Sequence, residues 1–158
     1  MQIANAYLYL EHNNIVHRDV KSHNILLKDN YHVLVCDFGL AKKKDTLMSG
    51  SNLYAGTVAY MAPEILNKKN YNEKVDIFAF GTLLWEILTR RIPFEGYDAL
   101  QIKGFIIEGR ELPLNQYYDK TKIPADLMNL VNLCRSLKPE DRPSFNSIAK
   151  TLNQIKEL

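Results

Sequence analysis

The residues best suited to chemistry lie in two short polar segments, at 17–24 and 37–39, which flank two short apolar runs. The first segment reads His-Arg-Asp-Val-Lys-Ser-His-Asn and contains Asp19, Lys21 and Asn24; the second reads Asp-Phe-Gly and begins at Asp37. The apolar runs at 25–28 and 33–36, separated by a turn, predict a β-hairpin. Such a hairpin can bring the oxygen-bearing side chains of Asp19, Asn24 and Asp37 to one point.

Two carboxylates and one amide oxygen are ligands that suit Mg²⁺, a hard cation, with Mn²⁺ as an alternative. A lysine beside them suits a phosphoryl group in transit. The pattern therefore indicates phosphoryl transfer, a reaction in which catalysis consists mostly of positioning and charge stabilisation.

The elements that must position these segments are mainly helical. Apolar residues at helical spacing predict a first helix over 3–12, which delivers the chain to the polar segment at 17–24. Residues 40–61 are polar and contain glycine, which predicts a long surface loop. Residues 74–89 predict a helix that is apolar on nearly all sides and therefore buried as the central helix of the fold. Further helices are predicted over 99–108, 125–136 and 144–156, with Ser144 as an N-cap.

Composition excludes several classes of protein. The chain has 158 residues, about one domain, and a formal net charge of +2, which is too small to favour a nucleic acid partner. The two cysteines show no disulfide or metal-site spacing, so we expect an intracellular (cytoplasmic) location. The first residues lack the basic-then-apolar pattern of a signal peptide, so we expect none. The most apolar segment is interrupted by Glu86, so we expect no membrane span.

Three ordered motifs reveal a family resemblance. His-Arg-Asp at 17–19 with Asn24 five residues after the Asp, Asp-Phe-Gly at 37–39 and Ala-Pro-Glu at 62–64 together resemble the signature of the protein kinases. The resemblance covers residues 1–158 and is to the C-terminal lobe of the kinase domain. It implies a catalytic loop at 15–24, an activation segment at 37–64 and a central buried helix at 74–89. Lys21 and Thr57 resemble the serine/threonine-directed branch within the tyrosine-kinase-like group.

The resemblance also implies a role for each site residue. Asp19 would accept or orient the proton of the substrate hydroxyl, and Lys21 would lie beside the transferred phosphate. Asn24 and Asp37 would hold Mg²⁺ between the phosphates of ATP, and Leu26 would lie under the adenine ring. The alternatives are structural: Asp19 as a turn or helix-cap residue, and Leu26 as a core residue of the hairpin.

Five further residues are expected to support the site. By the resemblance, Phe38 would pack on His17, which we interpret as a structural residue, and Asp76 would anchor the backbone of the catalytic loop. Glu64 and Arg142 would form a buried bidentate ion pair, for which the planar guanidinium is well suited.

Regulation by phosphorylation is the expectation for the loop at 40–57. A phosphate there could pair with Arg18 and order the segment. Ser51 is the favoured acceptor, the others being Ser49, Thr46 and Tyr54, and Thr57 is expected to contact Asp19 and Lys21. The alternative is an unmodified flexible loop. The lysines at 42–44 are interpreted as a solvated charge run.

The glycine-rich loop and the Val-Ala-x-Lys strand of the kinase N-terminal lobe do not occur in the sequence. The fold class expected is therefore a mainly α, kinase-like C-lobe with a small β-hairpin, without the N-terminal β lobe. The expected function is transfer of the γ-phosphate of ATP to a serine or threonine of a protein substrate, once the N-lobe of the same polypeptide completes the site. The alternative is a catalytically inactive lobe that serves as a protein-interaction module.

Overall fold

The fold was analysed in a computed structural model, which describes residues 1–46, 57–110, 112 and 123–156. The described chain is rich in helix and contains two small antiparallel sheets of two strands each. The helices are α1 (Gln2–His12), α2 (Pro63–Leu66), α3 (Lys74–Thr89), α4 (Ala99–Ile107), α5 (Ala125–Cys134) and α6 (Phe145–Lys156). The strands are β1 (Ile15–Val16), β2 (Ile25–Leu27), β3 (Val33–Val35) and β4 (Lys42–Lys43).

The long helix α3 forms the centre of the hydrophobic core, as its apolar sequence predicts. Twelve of its 16 residues are buried. It packs against α5 at Gly81, where an added Cβ would lie 2.7 Å from the Cβ of Cys134. Only a residue without a side chain allows the two backbones to approach so closely.

The hairpin that carries the polar segments is formed by β2 and β3, with Leu26 opposite Leu34, which confirms the prediction. Its turn contains Asn30 and Tyr31, both with positive φ. The side chain of Gln2, in α1, accepts a hydrogen bond from the backbone N–H of Val33 and donates one to the carbonyl of Tyr31. The first helix thereby fixes the hairpin on the helical body.

The second sheet was not predicted. Strand β1 immediately precedes the polar segment at 17–24 and pairs with β4, with Val16 opposite Lys42. The sequence predicted a solvated charge run at 42–44 within a surface loop; the loop assignment is wrong for Lys42 and Lys43, which form β4, while the Lys43 side chain is exposed as predicted. Two lysines give no apolar alternation, so a pairing made through the backbone leaves no signal in the side chains.

The remaining differences from the sequence predictions lie at element ends. Helix α5 ends two residues before the predicted position, α4 ends one residue early, and the short α2 was not predicted. Ser144 caps α6 as expected, since its hydroxyl accepts the N–H of Ser147. The carboxylate of Glu11 adds a cap that spacing could not predict, because it reaches from α1 to the N–H of Phe145. Among the described residues, no helix is long and apolar enough to cross a membrane.

Candidate active site

The backbone of the segment at 17–24 is hydrogen-bonded to one buried carboxylate. Asp76, in the first turn of α3, accepts the backbone N–H of His17 at 2.6 Å and that of Arg18 at 2.8 Å. Arg18 has a φ of +68°, a left-handed conformation that costs energy in a residue other than glycine. Burial raises the pKa of the Asp76 carboxyl to about 7, and the two N–H groups and the Arg18 cation oppose that rise. The carboxylate therefore stabilises a strained loop conformation.

Asp19, Lys21 and Asn24 form a compact cluster in this loop. The Lys21 ammonium lies 2.8 Å from Oδ2 of Asp19. The Asn24 amide nitrogen donates to the same Oδ2 at 2.9 Å and to the Asp19 carbonyl at 2.7 Å. Asp19 is 9% exposed and Asn24 is 4% exposed, so both are nearly buried. The cluster fixes the orientation of a carboxylate at the edge of the protein surface.

His17 joins the two polar segments. Its Nε2 lies 3.0 Å from the carbonyl of Cys36, and its Nδ1 lies 3.3 Å from the N–H of Asp19. Both contacts are satisfied by the neutral ring with the proton on Nε2, and burial lowers the pKa of the imidazole. The ring of Phe38 packs edge-on against His17, with centroids 4.9 Å apart.

Asp37 follows β3 with a φ of +63°, and its side chain is exposed. The hairpin ladder extends toward it, because the N–H of Cys36 donates to the carbonyl of Asn24 at 3.0 Å. Burial lowers the pKa of His17, and the negative charges of Asp19 and Asp37 partly oppose that lowering.

The side chains present are compatible with a hard cation. Asn24 uses its amide nitrogen twice toward Asp19, which leaves its Oδ1 for another partner. Oδ1 of Asp37 accepts a long bond from the Gly39 N–H, and its Oδ2 is not engaged by that bond. One amide oxygen and one carboxylate are hard ligands of the kind that Mg²⁺ prefers. Within the described ranges, no group of three or more His, Cys, Asp or Glu side chains forms a metal cluster, so a cation here would need oxygen ligands from outside the protein as well.

Glu64 and Arg142, 78 residues apart, meet in the core. Arg142 Nη1 donates to Oε1 of Glu64 at 2.7 Å, and Nη2 donates to Oε2 at 2.9 Å. Arg142 is 2% exposed and Glu64 is 7% exposed. This bidentate pair ties α2, at the end of the segment 37–64, to the turn that precedes α6.

The remaining predicted residues have different outcomes. Leu26 is exposed on the hairpin rather than part of its core. Thr57 is also exposed, and the hydrogen bonds of the described residues include none from its hydroxyl to Asp19 or Lys21, which bond directly to each other. Three of the predicted phosphate acceptors, Ser49, Ser51 and Tyr54, lie outside the described residues.

Three functional candidates escaped the sequence analysis: Ser22, Tyr60 and Glu86. The Glu86 carboxylate, on α3, accepts hydrogen bonds from the hydroxyls of both Ser22 and Tyr60. The sequence did hold a signal for Glu86, because it is an acidic residue in the second half of a mostly apolar helix.

Comparisons with known proteins agree with the motifs. The family model for protein tyrosine and serine/threonine kinases matches residues 1–152. A probable serine/threonine-protein kinase of Dictyostelium discoideum is 38% identical over 159 residues, which cover 98% of this chain and 16% of that protein. The mitogen-activated protein kinase kinase kinase dlk-1 of Caenorhabditis briggsae is 39% identical over 151 residues, covering 93% and 17% respectively. The dual specificity protein kinase shkC of D. discoideum is 38% identical over 146 residues, covering 89% and 28%. The chain therefore spans less than a third of the length of each of these relatives.

Proposed function

The chain belongs to the family of protein tyrosine and serine/threonine kinases, and from that premise we propose that it is the C-terminal catalytic lobe of an ATP-dependent serine/threonine protein kinase. The observation that carries the proposal is the cluster of Asp19, Lys21 and Asn24, held on a strained loop by a buried carboxylate. A surface turn needs no such support. The family comparison and this geometry together favour an active site over a structural turn.

Asp19 is proposed to receive the substrate hydroxyl. Among the described residues, both hydrogen bonds to its carboxylate reach Oδ2, from Lys21 and Asn24. Oδ1 is left to accept the hydroxyl proton of a serine or threonine. Because Oδ2 is fixed at two points, Oδ1 would be aimed before the substrate arrives, which is the advantage of preorganisation.

Lys21 is proposed to stabilise the phosphoryl group. Its ammonium already lies beside Asp19, within reach of any group bonded to the attacking oxygen. The negative charge of a phosphoryl group in transit is spread over its oxygens, so a fixed cation there lowers the barrier.

Asn24 and Asp37 are proposed to hold Mg²⁺, with Mn²⁺ as an alternative, together with the phosphates of ATP. The amide oxygen of Asn24 and the carboxylate of Asp37 provide the hard ligands described above. When bound, the metal would neutralise phosphate charge. The chain's own contribution is to fix both ligands through the hairpin that joins them.

Exposed apolar side chains on the hairpin and on the adjoining segment 37–39 support the proposal that a second lobe completes the site. Leu26 is 49% exposed, Leu34 is 41% exposed and Phe38 is 48% exposed. Apolar surface of this kind, beside a polar cluster, marks a surface that another body covers. We assign it to the N-terminal lobe of the same polypeptide, with the adenine ring of ATP between that lobe and Leu26.

Arg18 is proposed to receive a regulatory phosphate. Its Nε and Nη1 are buried and, in the part of the chain that the structure describes, have no hydrogen-bond partner. A phosphate on the loop at 40–57 would provide an acceptor for these two donors of Arg18. Ser51 is the favoured acceptor, with Ser49, Tyr54 and the exposed Thr46 as the others, and phosphate mapping of the active protein tests them.

The decisive experiment measures phosphate transfer from labelled ATP by the full-length polypeptide that contains this chain. Asp19→Asn should lower kcat by about 10²-fold or more, because the amide cannot accept the hydroxyl proton, while nucleotide affinity stays within about twofold. The matched control is Asp29→Asn, an exposed aspartate in the hairpin turn, which should behave as wild type.

Two further measurements accompany this experiment. Serine, threonine and tyrosine peptides are compared, since one relative is named a dual specificity kinase, and we expect transfer to serine and threonine. The 158-residue chain alone should bind Mg·ATP no more tightly than about millimolar, because half of the pocket would be missing. An Asp19→Asn protein that retains more than about a tenth of the activity would contradict the proposed function.

A further inference from the structure

A cavity of about 290 Å³ lies between α3, α5 and the end of α4. Its described lining residues include none from the segments 17–24 and 37–39, so it is separate from the candidate active site. Helix α3 lines it with Phe78 and Trp85, which are seven residues apart and share one face of the helix. Its volume is close to the lower limit for small-molecule sites in proteins.

Part of the cavity wall is apolar. Helix α5 contributes Met128 and Val131, which are three residues apart and therefore neighbours on the helix surface. Helix α4 contributes Ile106, which is buried, as is Val131. Walls of this kind suit the apolar body of a ligand, and the polar groups beside them then decide which chemical class is bound.

The indole N–H of Trp85 is one such polar group. The Trp85 side chain is 3% exposed, and in the part of the chain that the structure describes its Nε1 has no hydrogen-bond partner. Buried donors in native proteins are nearly always paired, either within the protein or with a bound group. An unpaired indole N–H in the wall of a cavity therefore points to an acceptor inside that cavity.

Arg135, the second polar group, is a cation without a carboxylate partner among the described residues. The Cζ atoms of Arg135 and Arg142 lie 4.6 and 5.0 Å from the ring centroid of Phe78. Glu64 forms an ion pair with Arg142, but none of the ion pairs within the described ranges involves Arg135. Two guanidinium groups thus lie beside one aromatic ring with one carboxylate between them, which leaves one positive charge uncompensated at the cavity.

The Arg135 guanidinium retains donors for a ligand. Its Nη1 donates to the hydroxyl of Thr82 in a close contact, and this is the one side-chain hydrogen bond of Arg135 to the described residues. Burial and, to a lesser extent, the positive charge of Arg142 lower the pKa of Arg135 to about 9, so the group is still a cation at neutral pH. A guanidinium has five N–H donors and binds a carboxylate through two of them at once.

We propose that this cavity binds a small organic carboxylate, with Arg135 and Trp85 as the donors to its carboxylate group and Met128 and Ile106 against its apolar body. The indole and the guanidinium can only donate hydrogen bonds, so they select a ligand group that only accepts them. The uncompensated charge selects an anion over a neutral alcohol or amide. This inference goes beyond the proposed function, because binding at this cavity requires no phosphate transfer.

Isothermal titration calorimetry of the full-length polypeptide tests the proposal, with benzoate and hexanoate as probes. Benzyl alcohol and hexan-1-ol are the neutral counterparts. Each carboxylate should bind at least roughly tenfold more tightly than its alcohol, because a hydrogen bond between charged groups is stronger than one to a neutral group. Equal affinities, or no saturable binding of either carboxylate up to about 10 mM, would overturn the proposal.

Three variants assign the binding to this cavity. Arg135→Met removes the cation and keeps a side chain of similar length beside Phe78 and Phe94, so carboxylate affinity should fall roughly 10- to 100-fold while the affinity for the alcohols is retained. Arg135→Lys keeps the charge without the planar fork and should lose less affinity. Arg91→Met, at an exposed arginine, is the matched control and should bind as the wild type does. Unchanged carboxylate binding by Arg135→Met would place the site elsewhere and refute the assignment.

The indole N–H signal of Trp85 provides a second measurement, which remains decisive if Arg135→Met fails to fold. It is recorded by NMR on the wild-type polypeptide with ¹⁵N-labelled tryptophan and is identified by its absence in Trp85→Phe. Benzoate should shift this signal in a saturable manner, with the Kd found by calorimetry. A signal that does not move while benzoate binds would contradict the proposed site. A protein that transfers no phosphate would contradict the proposed function and leave both binding measurements valid.

Discussion

The buried ion pair of Glu64 and Arg142 gives the sharpest stability prediction. Arg142→Ala removes a guanidinium that donates to both Glu64 oxygens, at 2.7 and 2.9 Å. The same group donates to three backbone carbonyls: Ser136 at 2.8 Å, Lys74 at 3.0 Å and Leu137 at 3.3 Å. The substitution therefore leaves one buried carboxylate and three carbonyls without their donor.

The expected loss in the free energy of unfolding follows from these lost contacts. Removing one partner of a buried pair costs about 3–5 kcal/mol, because the other charge stays buried and unpaired. That is a large part of the roughly 5–15 kcal/mol by which a domain is stable. At about 2–4 °C per kcal/mol for a chain of this size, the melting temperature should fall by roughly 6–20 °C. Arg142→Lys keeps the charge without the planar fork and should lose roughly 1–3 kcal/mol.

Urea unfolding followed by tryptophan fluorescence measures this loss, since Trp85 is the single tryptophan of the chain and is buried in α3. Arg91→Ala, at an exposed arginine, should change the free energy of unfolding by less than about 0.5 kcal/mol. The double variant Glu64→Leu/Arg142→Met should be more stable than Arg142→Ala, because it leaves no unpaired charge. If Arg142→Ala lost less than about 1 kcal/mol, the pair would not be the buried, water-free contact that its geometry implies.

Two further predictions concern pH and helix packing. The pKa of His17 is lowered in the folded state, so the unfolded chain binds the proton first as pH falls below 6.5, and the free energy of unfolding should drop on acidification. In urea unfolding at several pH values, His17→Gln should reduce this drop. His12→Gln, at an exposed histidine, should leave it unchanged. Gly81→Ala should destabilise by about 1–3 kcal/mol because its Cβ would clash with Cys134. Gly104→Ala, within α4 and with open space around it, should instead stabilise by about 0.5–1 kcal/mol, and equal signs in thermal melts would contradict the packing argument.

The local sequence pattern predicted those elements whose apolar residues follow one another closely along the chain. The bounds of α3 could be predicted from a long apolar run, and the β2–β3 hairpin from two apolar runs around a turn. The β1–β4 pair could not be predicted, because it joins Val16 to Lys42 through backbone groups that every residue carries. The short α2 escaped for a related reason, since four residues are too few to show a helical period.

The candidate site divides in the same way. Asp19, Lys21 and Asn24 lie within six positions, so a motif could identify them as a cluster. Ser22 and Glu86 are 64 residues apart, and only the packing of α3 under the loop brings them together. Such a contact depends on the relative placement of two elements, which the pattern of neither element records.

The fold and the site depend on each other through two acidic residues of α3. Helix α3 is mostly apolar, and its two acidic residues, Asp76 and Glu86, both accept hydrogen bonds from the segment 17–24. A carboxylate in apolar surroundings is costly unless it is hydrogen-bonded. The helix therefore reaches its full stability only when the segment 17–24 is in place, and that segment keeps its strained backbone only while the helix is packed. Replacing either acid should loosen the loop before it unfolds the helix, and exchange rates measured along the chain would show that order.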